Sequence, residues 1–137
     1  MGLNEKRLIQ QIATEDQAQA QQALNEGLGA PLEFVIDVAS FPENAEVLAC
    51  YQNYRAYGPL LVAKVLASIA SDAMGRDAIR AKISKVVFRN SARAAENPGD
   101  KGVELRDGVL TVTCSFYGYS DRLFGEEDLK SLIEAML

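Results

Sequence analysis

The segment GVELRDGVLTVTCSF, residues 102–116, leaves the chain less freedom than any other stretch. Asp107-Gly108 stands between two alternating runs. A two-residue Asp-Gly loop closes an antiparallel hairpin because both turn positions need positive φ. Beyond the turn, Leu110, Val112, Cys114 and Phe116 point one way. Val109, Thr111, Thr113 and Ser115 point the other way, so one face belongs to a core and the opposite one is at least partly wet. An isolated hairpin is marginal in water, and the remaining chain must supply its cover.

That cover reads as mostly helical. LEFVIDVASF (32–41) predicts a first strand, with Phe34, Ile36 and Val38 alternating against Glu33, Val35 and Asp37. Ser40 as a cap and Pro42 near the first turn open a helix through ENAEVLACYQNYRAY. Gly58-Pro59 ends that helix and starts the next, LLVAKVLASIASDAM. There Val62, Val65, Leu66, Ile69, Ala70 and Ala73 share a broad apolar face, and Lys64, Ser68, Ser71 and Asp72 form a narrow polar strip. Gly75 closes it, and RDAIRAKI adds a short amphipathic turn or two. SKVVFRN predicts a strand over 85–89, followed by the polar loop SARAAENPGDKG with its Asn97-Pro98-Gly99 turn. EEDLKSLIEAML predicts a closing helix, with acidic residues at its N-terminus and Leu129, Leu132, Ile133 and Met136 as its buried stripe. In the first thirty residues, Leu8, Ile9 and Ile12 mark a short apolar stripe, Thr14 and Gln17 read as a capping box, and the Gln- and Ala-rich part reads as a solvated helix.

The order is α-β-α-α-β-β-β-α: an α+β fold in which helices pack a small antiparallel sheet of three to four strands with one Asp-Gly hairpin. At 137 residues the chain fits a single domain over 1–137, with a polar helical segment at 1–30 and an α+β core at 31–137. A doubly wound βαβ arrangement is disfavoured by the hairpin and by the lack of a Gly-rich βα turn.

The chemistry is bounded mainly by absences. With no histidine, Ser-His-Asp and Cys-His catalysis and every His-containing zinc or iron site drop out. Cys50 and Cys114 are far apart in apolar surroundings and read as buried reduced thiols rather than metal ligands. Phosphate-binding glycine motifs are missing, so no cofactor and no metal are expected. The net charge of −5 and the scattered lysines and arginines argue against a nucleic-acid partner. The longest apolar stretch, 59–70, is short for a membrane span and carries Lys64, and the start lacks a signal-peptide core, so a cytoplasmic protein without a membrane partner is expected.

Two clusters and one carboxylate remain as candidate binding residues. Asp37, flanked by Phe34, Val35, Ile36 and Val38, would become a general acid or base if it faced an apolar cleft, and the alternation places it instead on a solvent face. Tyr117, Tyr119, Asp121 and Arg122 stand just past a strand end, where binding residues commonly sit. In CYQNYRAYGP the helical wheel puts Tyr51 and Tyr54 on the apolar arc with Val47, and leaves Tyr57 at the edge as a surface contact.

These readings favour a non-catalytic, acidic, cytosolic protein-interaction domain of the immunity, chaperone or regulatory type. Its partner is another protein or a second copy, the latter through the apolar 60–74 helix. The alternative is a small ligand-binding domain or histidine-independent enzyme with a carboxylate and tyrosine pocket around Asp37.

Overall fold

A computed structural model describes residues 2–29, 32–117 and 122–137. The fold is α+β, with a four-stranded sheet packed against helices. The elements are α1 (Leu3–Gln11), a π-helical turn (Ile12–Asp16), α2 (Gln17–Leu28), β1 (Glu33–Ile36), α3 (Ala45–Asn53), α4 (Pro59–Ile69), α5 (Ala73–Lys82), β2 (Lys85–Asn90), β3 (Gly102–Arg106), β4 (Val109–Cys114) and α6 (Glu126–Met136).

The hairpin forms as read. Asp107 and Gly108 take φ of 51° and 80°, and β3 pairs antiparallel with β4 from Gly102–Thr113 to Arg106–Val109. Leu110, Val112, Cys114 and Phe116 are all buried, while Val109, Thr111 and Thr113 are half-buried; Ser115 departs from this alternation and is buried. The rest of the sheet is not antiparallel. Its order is β1-β2-β4-β3, and both β1–β2 and β2–β4 pairs are parallel. Local alternation is blind to this, because strand direction depends on how the intervening segments return the chain, and α3 to α5 bring it back to the same end.

The N-terminal segment departs most from its sequence reading. No capping box forms: the Thr14 hydroxyl donates back to the Gln10 carbonyl at 2.9 Å, and the helix continues through the π-turn into α2. Two glutamines of α2 are structural rather than merely solvated. Gln17 donates to the Phe34 carbonyl at 2.5 Å and accepts from the Ile36 N–H at 2.7 Å. Gln21 donates to the Leu32 carbonyl at 2.8 Å and accepts from the Phe34 N–H at 2.9 Å. Spaced one helical turn apart, the two amides occupy the outer edge of β1 as a strand would, and so close an edge that is otherwise open to pairing.

On its other side α2 runs along α4. Ala20, Leu24 and Leu28 are buried there, and Gly27 lies so close to Ala67 that an added β-carbon would come within 2.9 Å of the Ala67 Cα. The apolar face of α4 is buried as its pattern implies, including Val62, Val65, Leu66, Ile69 and Ala70. The helix ends at Ile69 rather than at Gly75, because Asp72 caps a new helix by accepting from the Gly75 N–H at 2.7 Å. Gly75 therefore permits a corner: a β-carbon there would meet the Ile69 carbonyl. Ala73 and Met74 fall beyond the corner and are exposed, Met74 by 84%. The apolar face of α4 is thus covered within one chain.

Further differences are local. β1 stops at Ile36, a 3-10 turn follows over Val38–Ser40, and α3 is capped by Asn44, whose side chain accepts from Glu46 and Val47. Asn90, buried at the end of β2, uses all four amide positions: Nδ2 donates to the Ser40 and Ala92 carbonyls, and Oδ1 accepts from the Ala92 and Phe116 N–H groups. This fixes the exit of β4 and hence the position of Tyr117.

Candidate functional site

α3 and the 3-10 turn Arg55–Tyr57 carry the polar and aromatic residues that converge with distant parts of the chain. Tyr51 is fully buried, its ring centroid 5.1 Å from that of Phe41 and 4.9 Å from that of Phe116, both near edge-to-face. This is the core position read from the helical wheel. Its hydroxyl donates to Asp16 Oδ2, while the Arg55 guanidinium donates to Asp16 Oδ1. Burial first, and then the Asp16 carboxylate, push the Tyr51 pKa well above its ordinary value; the same carboxylate raises that of Arg55.

Asp16 is the residue that sequence reasoning passed over. It lies at the end of the π-turn, with its side chain 5% exposed. The wider π-turn changes the helical phase, so the apolar stripe of α1 does not predict which residue of α2 turns inward. The one available hint was an aspartate among the alanines and glutamines of a helix interior. Around this trio a pocket of about 230 Å³ opens, lined by Asp16, Gln19, Tyr51, Arg55, Ala56, Pro59 and Leu60. Its walls are mainly apolar, and Asp16, Tyr51 and Arg55 already bond one another, an arrangement suited to holding a small partly polar group.

A second concavity, a groove of about 430 Å³, is lined by Glu46, Ala49, Cys50, Asn53, Tyr54 and Tyr117. Tyr54 is half-buried and packs on the core from one side. The Tyr117 hydroxyl donates to Glu46 Oε2 at 2.8 Å, a bond that raises the phenol pKa. A groove with two phenol rings and a carboxylate is chemically matched to a cation, by ring-face attraction together with Coulomb attraction.

The candidate residues from sequence distribute unevenly around these features. Tyr117 lines the groove, and Tyr54, read as core, joins it there. Tyr57 is 44% exposed and lines neither pocket. Arg122 is half-buried and its carbonyl accepts from the Ser115 N–H at 3.2 Å. Asp37 is half-buried beside β2, its N–H donating to the Phe88 carbonyl at 2.8 Å and its carbonyl accepting from Ser40; it lines neither pocket. Tyr119 and Asp121 lie outside the described residues.

Among the described residues, no three acidic or cysteine side chains gather as a metal-ligand set, and no helix is long and apolar enough to cross a membrane. Burial lifts the Cys114 thiol to about 12. No protein-family model matches the chain, and no curated protein or solved structure is significantly similar to it.

Proposed function

We propose that this chain is a non-catalytic, cytoplasmic protein-interaction domain of the immunity, chaperone or regulatory kind, and that it holds its partner at the groove between α3 and Tyr117. The observation that carries this reading is the meeting of Tyr54 and Tyr117, distant in sequence, on one groove beside Glu46. Aromatic anchors near an unfilled recess are the usual energetic centre of a protein interface. The carboxylate favours a partner that presents a lysine or arginine side chain. The test is affinity capture from native lysate with the wild type, with Tyr54→Ala/Tyr117→Ala, and with Leu132→Ser at an exposed position of α6 as a distant control. A partner that binds the wild type and the control but loses the tyrosine variant supports the groove; a captured set identical for all three removes it.

A second reading rests on the pocket at Asp16. It keeps the idea of a carboxylate and tyrosine pocket for a small ligand, centred on Asp16 rather than Asp37. A partly buried ion pair contributes little net stability, which leaves room for a binding role. Ligand-observed NMR with small neutral amides tests it. Binding abolished by Leu60→Trp, which fills the pocket, supports the reading, and binding unaffected by that change defeats it.

A further inference from the structure

We propose that two copies of this chain associate through the uncovered face of the sheet. The core face carries Phe34, Ile36, Val86, Phe88, Leu110 and Val112, all buried. The opposite face carries half-buried Val35, Val87, Val109, Thr111 and Thr113, with exposed Glu33, Arg89, Glu104 and Arg106 around them. Three of its four strands, β1, β2 and β4, run parallel. Parallel strands normally have both faces covered, so half-buried valines and threonines on an open face call for a second layer.

The charge pattern selects a second copy as that layer. In register across the sheet, one row reads Glu33, Lys85, Val109, Arg106, and the next reads Val35, Val87, Thr111, Glu104. A two-fold axis along the strands lays β1 of one copy over β3 of the other, and β2 over β4. Glu33 then faces Arg106 of the second copy, twice by symmetry, Val87 faces Thr111 at the centre, and Lys85 and Glu104 lie over Val109 and Val35. Within one chain the same residues make only loose, exposed pairs, Lys85–Glu33 at 3.6 Å and Arg106–Glu104 at 3.4 Å, so they are available for exchange. Four strands roughly 4.8 Å apart give a face of roughly 300 Å² in projection. That is below the area of a standard stable interface, and the association is therefore weak and transient.

This surface belongs to the sheet and the binding groove to α3 and Tyr117, so each can fail alone. Sedimentation velocity of the whole chain from about 5 to about 500 µM covers the range in which a weak, transient dimer forms. The wild type should pass from monomer to dimer. Glu33→Arg and Arg106→Glu should each weaken the dimer at least tenfold, the double swap should restore it, and Thr111→Lys should abolish it. Thermal melting checks that each variant stays folded, as their exposed or half-buried positions imply. A wild type that stays monomeric throughout overturns the proposal. So does a dimer that survives Thr111→Lys, or a double swap no tighter than the single variants.

Discussion

The Phe34 N–H donates to the side-chain oxygen of Gln21 at 2.9 Å, so a helix side chain stands where a neighbouring strand would otherwise bond. With Gln17 it satisfies three backbone groups of β1 and the carbonyl of Leu32 just before it. Gln17→Ala/Gln21→Ala should therefore lower stability by about 2–4 kcal/mol, since half-buried amides and carbonyls lose their partners. Urea unfolding measures the loss, and light scattering should detect aggregation from the opened edge. Gln22→Ala, which removes only an exposed bond to Glu26, should stay within about 0.5 kcal/mol of wild type.

Two glycines should respond with opposite signs. At Gly27 a β-carbon comes within 2.9 Å of the Ala67 Cα, so Gly27→Ala should cost about 1–3 kcal/mol by forcing α2 away from α4. At Gly102 nothing lies within 4 Å of an added β-carbon, and a strand glycine is entropically costly. Gly102→Ala should be neutral or stabilise by up to about 1 kcal/mol. Paired thermal melts of the two variants provide the check.

Asp16 links the N-terminal helix to α3 and the turn after it through Tyr51 and Arg55. Asp16→Ala leaves the buried Tyr51 hydroxyl without an acceptor and removes the counter-charge of Arg55, which is a third exposed and so partly rescued by water. The expected loss is about 2–3 kcal/mol, below the range for a fully buried pair. Tyr51→Phe removes one donor and should cost less, about 1 kcal/mol. A double-mutant cycle should give a coupling of at least about 0.5 kcal/mol, as contact requires.

The pH behaviour follows from two raised pKa values. Cys114 rises from 9.0 to about 12, and Tyr51 rises from 10.0, in both cases chiefly through burial. A raised folded pKa means that the native state holds its proton longer than the unfolded chain. Stability should accordingly be level with respect to these groups below pH 9 and fall above it, first through Cys114 and then through Tyr51. Cys114→Ala should remove the first part of that fall in chemical denaturation measured from pH 8 to 11. At pH 8 native Cys114 should resist iodoacetamide, with mass spectrometry showing its alkylation only after denaturation.

Most of the element order was legible because each signal is local. Asp107-Gly108 specifies its turn by φ alone, Gly58-Pro59 separates two helices, and the apolar spacing of 60–69 marks its buried side. In α6 Leu129 and Ile133 are buried as spaced and Met136 is half-buried, but Leu132, read into the same stripe, is exposed because it lies at the edge of the buried arc. Asp72, the cap of α5, reads in sequence as part of a polar strip, because the pattern around it continues for another turn. Of the groove, Tyr117 was legible as an exit-loop aromatic, but its meeting with Glu46 was not, since no periodicity relates an exit loop to a helix face so far away in sequence.

The chain by itself determined the hairpin, the helix stripes, the core identity of Tyr51 and the absence of histidine chemistry, each a matter of residue type or short-range spacing. The tertiary structure alone decided strand direction, the burial of Asp16 and the use of Gln17 and Gln21 as a surrogate strand. It also decided which face of the sheet stays open. Those outcomes depend on which distant segments meet, and a polar side chain reads the same in sequence whether water or a backbone amide completes its bonds.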